Sequence, residues 1–261
     1  MMMPVVRDYP VQLSPEVQLQ VRHIERVGGG PTLVLLHEAL GNIALWRDFP
    51  EQISEATGLD VLVYERLGYG ASSPITLPRP DDYLEQEGRI WLPKLLDALE
   101  LEQAILLGHS DGGSVALVGA AVSPRVIGLI TMAAHIQVDD LTLAGIRQTL
   151  ERYQSSDLPE RLARYHGDRT DLLFRAWHET WLRDSFQSSF NLTPWLNQIQ
   201  CPALIMQGVD DSYGLPEQVT DIARGIGSQA VPHFIPACGH SPHLEQPEAS
   251  IEEIRRFILA L

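Results

Sequence analysis

Cysteine is almost missing from this chain: Cys201 and Cys238 are the only two in 261 residues. Two are too few for a disulfide framework, and their spacing is not that of a zinc site. Lysine is scarcer still, with Lys94 alone, so nearly all positive charge is arginine. Acidic residues number 34 against 19 basic ones, giving a formal net charge of −15 and a pI near 4.9. That balance repels phosphate backbones and anionic headgroups, so no nucleic acid and no membrane is expected as a partner. No apolar run reaches membrane-spanning length, and residues 1–4 lack the basic start and apolar stretch of a secretory leader. A cytoplasmic location is the resulting expectation. Internal repeats and low-complexity tails are also absent.

What remains is the composition of an ordinary globule, 44% hydrophobic with a mean hydropathy of −0.05. The length suits one α/β domain carrying an insertion. Residues 17–24 alternate weakly, as an early antiparallel strand does, and Gly28-Gly29-Gly30-Pro31 makes a turn into a strand at 32–36. Further buried strands are predicted at 60–64, 104–107 and 126–134, an apolar strand at 203–208 and a last strand at 230–236. Asp81 or Asp82 can cap a helix running to about Leu99, with Leu84, Ile90, Trp91, Leu95, Leu96 and Leu99 mostly on one side. Strands alternating with helices predict a mainly parallel sheet covered on both faces.

The most informative stretch is Gly108-His109-Ser110-Asp111-Gly112, a G-x-S-x-G pattern between an apolar strand and a small-residue helix. A sharp strand-to-helix turn lifts the Ser110 hydroxyl above the sheet, and the flanking glycines leave room for the crowded backbone. The N–H of Asp111 is left at the helix N-terminus, where developing negative charge is stabilised. A serine hydroxyl is a weak nucleophile, so this reading needs a histidine base and an acid to orient it. The order Ser, Asp, His is met by Asp210-Asp211 after the strand at 203–208, and by His240 after the strand at 230–236. Each lies at the carboxyl end of a strand, where open α/β sheets bind ligands.

The chain resembles the α/β-hydrolase fold serine hydrolases over nearly its whole length. Besides the elbow, residues 33–49 match the family's strand and oxyanion loop, and Arg66-Leu67-Gly68-Tyr69-Gly70-Ala71-Ser72 matches its R-x-G-x-G-x-S turn. The resemblance implies an eight-stranded, mainly parallel sheet flanked by helices, with residues 1–135 and 199–261 as the core and 136–198 as a helical cap. It maps the acid to Asp211 rather than Asp210, the base to His240, and the second oxyanion donor to Ala39. Of the cap aromatics Tyr153, Tyr165, Phe174, Trp177, Trp181, Phe186, Phe190 and Trp195, most are expected to pack the cap onto the body. One or two, with Trp177 and Trp181 as the assignment, are expected to line an apolar acyl or aryl site.

One departure stands out. The family has His-Gly before the oxyanion residue, whereas this chain has His37-Glu38. A carboxylate facing the oxyanion would oppose catalysis, so Glu38 is expected to point away or to be paired, a nearby arginine being the partner in view. A part in positioning substrate or water is the alternative. His37 is read as a support of the oxyanion loop and His109 as packing beneath the site. Cys238 is read as small apolar filler, and Asp139 or Asp140 as a minor alternative for the acid.

Rival motifs are weaker. Gly68-Tyr69-Gly70 lacks the third glycine and following helix of a dinucleotide loop. His240-Ser241-Pro242-His243 lacks a third metal ligand. The implied protein is a hydrolase with no cofactor and no metal, acting on a small-molecule substrate, most simply a carboxylic ester. The alternatives are C–C bond hydrolysis of a vinylogous diketone, aided by a cap arginine, and a non-catalytic ligand-binding homologue. A homo-oligomer is left open.

Overall fold

A computed structural model of the chain describes residues 4–26 and 29–261. Residues 1–3, and the start of the turn expected at Gly28-Gly29-Gly30-Pro31, lie outside the described residues. One sheet holds eight strands: β1 (Val5–Gln12), β2 (Gln18–Glu25), β3 (Thr32–Leu36), β4 (Val61–Tyr64), β5 (Ala104–His109), β6 (Val126–Met132), β7 (Ala203–Gly208) and β8 (Ala230–Ile235). Their spatial order is β1-β2-β4-β3-β5-β6-β7-β8. Strand β2 runs antiparallel to both neighbours, and every other pairing is parallel.

Every residue of β3, β4, β5 and β7 is buried. That is the pattern of parallel strands covered by helices on both faces, and it is why these segments read as continuous apolar runs. Strand β1 is the exception that the apolar pattern does not reveal. Its residues 5–8 are exposed and only Val11 is buried, because it lies at the sheet edge with little core to face.

The helices are α1 (Phe49–Thr57), α2 (Tyr83–Gln86), α3 (Leu92–Ala98), α4 (Asp111–Val122), α5 (Asp140–Ser155), α6 (Leu158–His166), α7 (Thr170–Trp181), α8 (Asp184–Ser189), α9 (Thr193–Leu196), α10 (Pro216–Ile226), α11 (Pro242–Glu245) and α12 (Pro247–Ile258). Five of them, α5 to α9, fall between β6 and β7, where no strand is predicted. Among the described residues no helix is long and apolar enough to cross a membrane.

The single helix expected up to Leu99 is divided. A wider π-helical turn at Glu87–Trp91 joins α2 to α3, and the Leu92 N–H reaches back to the Glu87 carbonyl. Pro93 explains the break: it has no N–H to return to the preceding turn, and its ring crowds the carbonyl four residues back. Asp82 does precede α2, but its side chain takes the Gln86 amide at 2.6 Å instead of capping a backbone N–H.

The wide turn lets α4 pack very closely. A Cβ at Gly88 would lie 2.6 Å from Val118 Cβ and 2.7 Å from the Val115 carbonyl oxygen. Gly88→Ala should therefore lower the unfolding free energy by about 1–2 kcal/mol, because overpacking outweighs the gain in helix propensity. A urea titration checks this, with no loss as the contrary result.

Candidate active site

Strand β5 ends at His109, and α4 begins at Asp111, leaving Ser110 to make the whole turn. Its φ of 53° and ψ of −120° are strained for a residue with a Cβ, at a cost of order 1–3 kcal/mol. The Ser110 N–H donates to the Met132 carbonyl at 2.8 Å, which anchors the turn to β6. Both neighbouring glycines are required by contact. A Cβ at Gly108 would lie 2.2 Å from the Gly112 oxygen, and one at Gly112 would lie 2.1 Å from the Leu36 oxygen.

Three side chains from three strand ends meet in a line. Ser110 Oγ lies 3.0 Å from His240 Nε2, and His240 Nδ1 lies 2.9 and 3.0 Å from the two oxygens of Asp211. Asp211 Oδ1 also accepts the Tyr213 N–H at 2.8 Å. Burial pushes the Asp211 carboxyl upward, but His240 and the Tyr213 amide outweigh it and hold the group below its ordinary value. Burial likewise disfavours the charged imidazole of His240, and this outweighs the support from Asp211, so its pKa is lowered. A neutral imidazole held in this way can take a proton from a hydroxyl. Asp210 is exposed, and the carboxylate that His240 meets is that of Asp211. Asp139 is also elsewhere: it caps α5 through the Thr142 N–H at 2.8 Å and takes the Leu215 N–H at 3.1 Å.

Ala39 and Asp111 both line the same cleft as Ser110. Neither backbone N–H is taken by another carbonyl among the described residues. The peptide carrying the Ala39 N–H is fixed from its other end. The Glu38 carbonyl accepts His37 Nδ1–H at 2.7 Å and the Gly41 N–H at 3.1 Å. The Arg66 N–H donates to His37 Nε2 at 3.0 Å, so the tautomer is set. Burial, with the Arg66 charge nearby, pushes the His37 pKa down to about 3, and the ring stays neutral.

The Asp111 side chain faces away from the cleft. It accepts Arg66 Nη2–H at 3.3 Å and the Tyr83 hydroxyl at 2.5 Å, and Trp181 Nε1–H donates to that hydroxyl at 3.0 Å. Arg66 also lies 3.7 Å from Glu87. All of these groups are buried.

Glu38 lines the cleft, and its partner is not the arginine expected from the sequence. Its Oε2 lies 3.5 Å from His109 Nδ1. The buried Arg66 is already held by Asp111 and Glu87. Burial raises the Glu38 carboxyl, yet His109 overrides this and holds it well below the usual carboxylate range. His109 is more than packing, since its Nε2–H donates to the His240 carbonyl at 2.7 Å. Cys238 is buried, with its thiol toward the Gly239 carbonyl.

The cleft has a volume of about 170 Å³ and includes Trp177 and Trp181. The other six aromatics of the helical segment do not line it. Tyr153 stacks on Phe174 at 3.7 Å and Phe186 on Phe190 at 4.9 Å. Sequence reasoning missed His135, Thr142, Ile146, Thr149 and Tyr213, which also line the cleft. Only Tyr213 left a signal, standing two residues after the acidic pair. The Gly68–Ser73 segment is a closed turn, not a nucleotide loop: Arg169 Nη1 donates to the carbonyls of Gly68, Gly70 and Ser72. No group of three or more metal-ligating side chains occurs among the described residues.

Tyr83→Phe should strip one donor from the buried Asp111 carboxylate and leave the Trp181 indole N–H unpaired. A loss of about 1.5–3 kcal/mol in unfolding free energy is expected for a hydrogen bond to a charged group. Thermal or urea unfolding reads it, and an unchanged stability would mean that water replaces the hydroxyl.

Known proteins share this arrangement of chain. Serine hydrolase BPHL of Homo sapiens is 29% identical over 182 residues, covering 68% of this chain and 62% of that protein. The chain thus spans under two thirds of that relative's length. The 2-succinyl-6-hydroxy-2,4-cyclohexadiene-1-carboxylate synthase of Serratia proteamaculans is 25% identical, covering 88% of this chain and 93% of the relative. Esterase YbfF of Escherichia coli is 27% identical, covering 62% and 70% respectively. The alpha/beta hydrolase family model matches residues 33–253, which takes in the Ser110 turn, Asp211, His240 and the six strands from β3 through β8 with their helices. The chain belongs to the alpha/beta hydrolase family.

Proposed function

We propose that this hydrolase cleaves a small carboxylic ester through an acyl-enzyme, with Ser110 as nucleophile, His240 as general base and acid, and Asp211 as the group that orients it. The observation that carries the reading is the continuous line from Ser110 Oγ to His240 at 3.0 Å and on to Asp211 at 2.9 Å. A strained serine turn at the start of a helix adds support, as such strain persists where it is used. The serine hydrolase and esterase among the relatives point to the same class. The synthase shows that the family also carries other chemistry.

In this reading Ser110 Oγ attacks the ester carbonyl carbon while its proton passes to His240 Nε2. The negative charge that develops on the carbonyl oxygen is met by the N–H groups of Ala39 and Asp111, and losing one such donor typically costs about 2.7–4 kcal/mol of transition-state stabilisation. Collapse of the tetrahedral adduct expels the alcohol, which takes the proton back from His240. Water then attacks the acyl group, again with His240 accepting a proton, and the acid leaves as Ser110 regains its hydrogen. Asp211 holds Nδ1–H and keeps Nε2 free to act. The segment 136–198 serves as the cap, with Trp177 and Trp181 as contacts for the apolar part of a small-molecule substrate. A cytoplasmic setting fits this reading.

The test is turnover of p-nitrophenyl acetate and butyrate with covalent labelling by a fluorophosphonate. Ser110→Ala should abolish both while the fold persists, and Asp211→Asn should lose roughly 10⁴ in rate, as the wrong imidazole tautomer is favoured. Asp210→Asn should lose less than about tenfold, under 1.4 kcal/mol. Wild-type-like hydrolysis by Ser110→Ala would overturn the assignment.

The pH dependence follows from His240. The base works when neutral, and its pKa in the folded protein lies below the ordinary 6.5. Activity is therefore lost on acidification only as pH falls through that lowered value, and it is level across neutral pH. The acid limb of a kcat/KM profile on an uncharged ester should have its midpoint below 6.5. A midpoint above that value would contradict the role or the environment assigned to His240.

A further inference from the structure

We infer that the cleft selects against negatively charged substrates and that Glu38 is the residue that sets this preference, so the physiological ester carries no anionic group near its reacting carbonyl. The inference rests on the ester-hydrolase reading given above and narrows its substrate class.

Its first support is the charge inventory of the cleft. No lysine or arginine lines it among the described residues. Two carboxyl groups do belong to lining residues, Glu38 and Asp111. Asp111 is turned to Arg66 and Tyr83, which leaves Glu38 as the one carboxylate at the cleft wall. Three arginines of the helical segment are committed elsewhere, Arg169 to three backbone carbonyls, Arg183 to Asp81 and Arg175 to Glu179, and none of the segment's arginines lines the cleft. A substrate carboxylate entering here would lose water and find no lysine or arginine, only the imidazoles of His109, His135 and His240, of which His109 already faces Glu38 and His240 already faces Asp211.

The second support is that Glu38 is held in place. Gly41 gives it room, because a Cβ there would lie 2.4 Å from Glu38 Oε2. His109 holds it from the other side at 3.5 Å. The side chain still keeps 27% of its exposure, so an entering ligand meets it. Chemistry sharpens the effect. A neutral ester brings one developing charge, which the Ala39 and Asp111 N–H groups can meet. A carboxylate-bearing ester brings a second charge into the same confined volume, beside Glu38. The net charge of −15 acts in the same direction at longer range.

Because His109 also holds the His240 carbonyl, replacing Glu38 can disturb the base as well as the charge. A disturbed base slows neutral and charged substrates alike, so the ratio between them isolates selectivity. Two matched pairs serve: p-nitrophenyl methyl adipate against p-nitrophenyl hydrogen adipate, and methyl 4-acetoxybenzoate against 4-acetoxybenzoate. The first pair varies charge on the acyl side and the second on the leaving group, with Ser110→Ala as the background.

In the wild type, kcat/KM should favour the neutral member of at least one pair by about 100-fold or more, equivalent to about 2.7 kcal/mol. Glu38→Gln should shrink that ratio by about tenfold or more, and Glu38→Ala should do the same if the amide variant folds poorly. Ratios within about threefold in both pairs, or a ratio that neither variant changes, would overturn the inference. Failure of the ester-hydrolase reading looks different: no member of either pair would be hydrolysed above the Ser110→Ala background.

Discussion

The cleft depends on how closely one helix can approach the ends of two strands. Helix α4 starts against the last residues of β3 and β5, and the contact is made by backbone atoms. At Gly112 a single extra carbon would fall 2.1 Å from the Leu36 oxygen, and at Gly108 it would fall 2.2 Å from the Gly112 oxygen. This closeness forces the chain through Ser110 with a positive φ, and it sets the Asp111 N–H beside the Ser110 hydroxyl at the helix N-terminus. The strain is local, while the means of bearing it is spread over the sheet: the Ser110 N–H to Met132, the buried runs of β5 and β6, and a helix buried along most of its length.

Behind that turn lies a second constraint, electrostatic in kind. In the proposed ester cleavage, a carboxylate directly after the serine would be a hazard where negative charge develops. It is dealt with by rotation and pairing: Asp111 points into the protein toward Arg66 and Tyr83, and Trp181 completes the set from the helical segment. The network ties a cleft-lining tryptophan to Asp111, which lines the same cleft. Glu38 poses the same hazard from the other side and is met differently. It remains at the cleft wall, held by His109, whose other nitrogen holds the backbone of His240. His37 works on the same loop through the Glu38 carbonyl. A hydrogen-bonded imidazole thus stands on each side of Glu38.

Much of this was legible without coordinates, and for definite reasons. A continuous apolar run is a strand buried on both faces, so β3 to β7 announce themselves, while β8 is an edge strand in which only Ile235 is buried. G-x-S-x-G announces a backbone crossing that only glycine tolerates. The order of Ser110, Asp211 and His240 follows from strand ends that must share one edge of a parallel sheet. What stayed hidden was what depends on contacts between distant segments. β1 gave no signal, because an edge strand with exposed side chains has no alternation to read. The break at Glu87–Trp91 arises from Pro93, yet its use, admitting Gly88 against Val118, is visible only in the packing.

The amino-acid sequence by itself determined the sheet from β2 to β8, the serine turn, and Ser110, the Asp210-Asp211 pair and His240 as the polar groups at its strand ends, since each is dictated by local pattern and chain order. Tertiary structure decided which of Asp210 and Asp211 faces His240, because adjacent residues at a strand end point in different directions. It decided which aromatics reach the cleft, because one helix turns only some of its side chains toward the sheet. It also decided the partner of Glu38. An arginine is the natural guess from charge alone, but the arginines lie in other neighbourhoods, and the residue within reach is a histidine contributed by the end of β5.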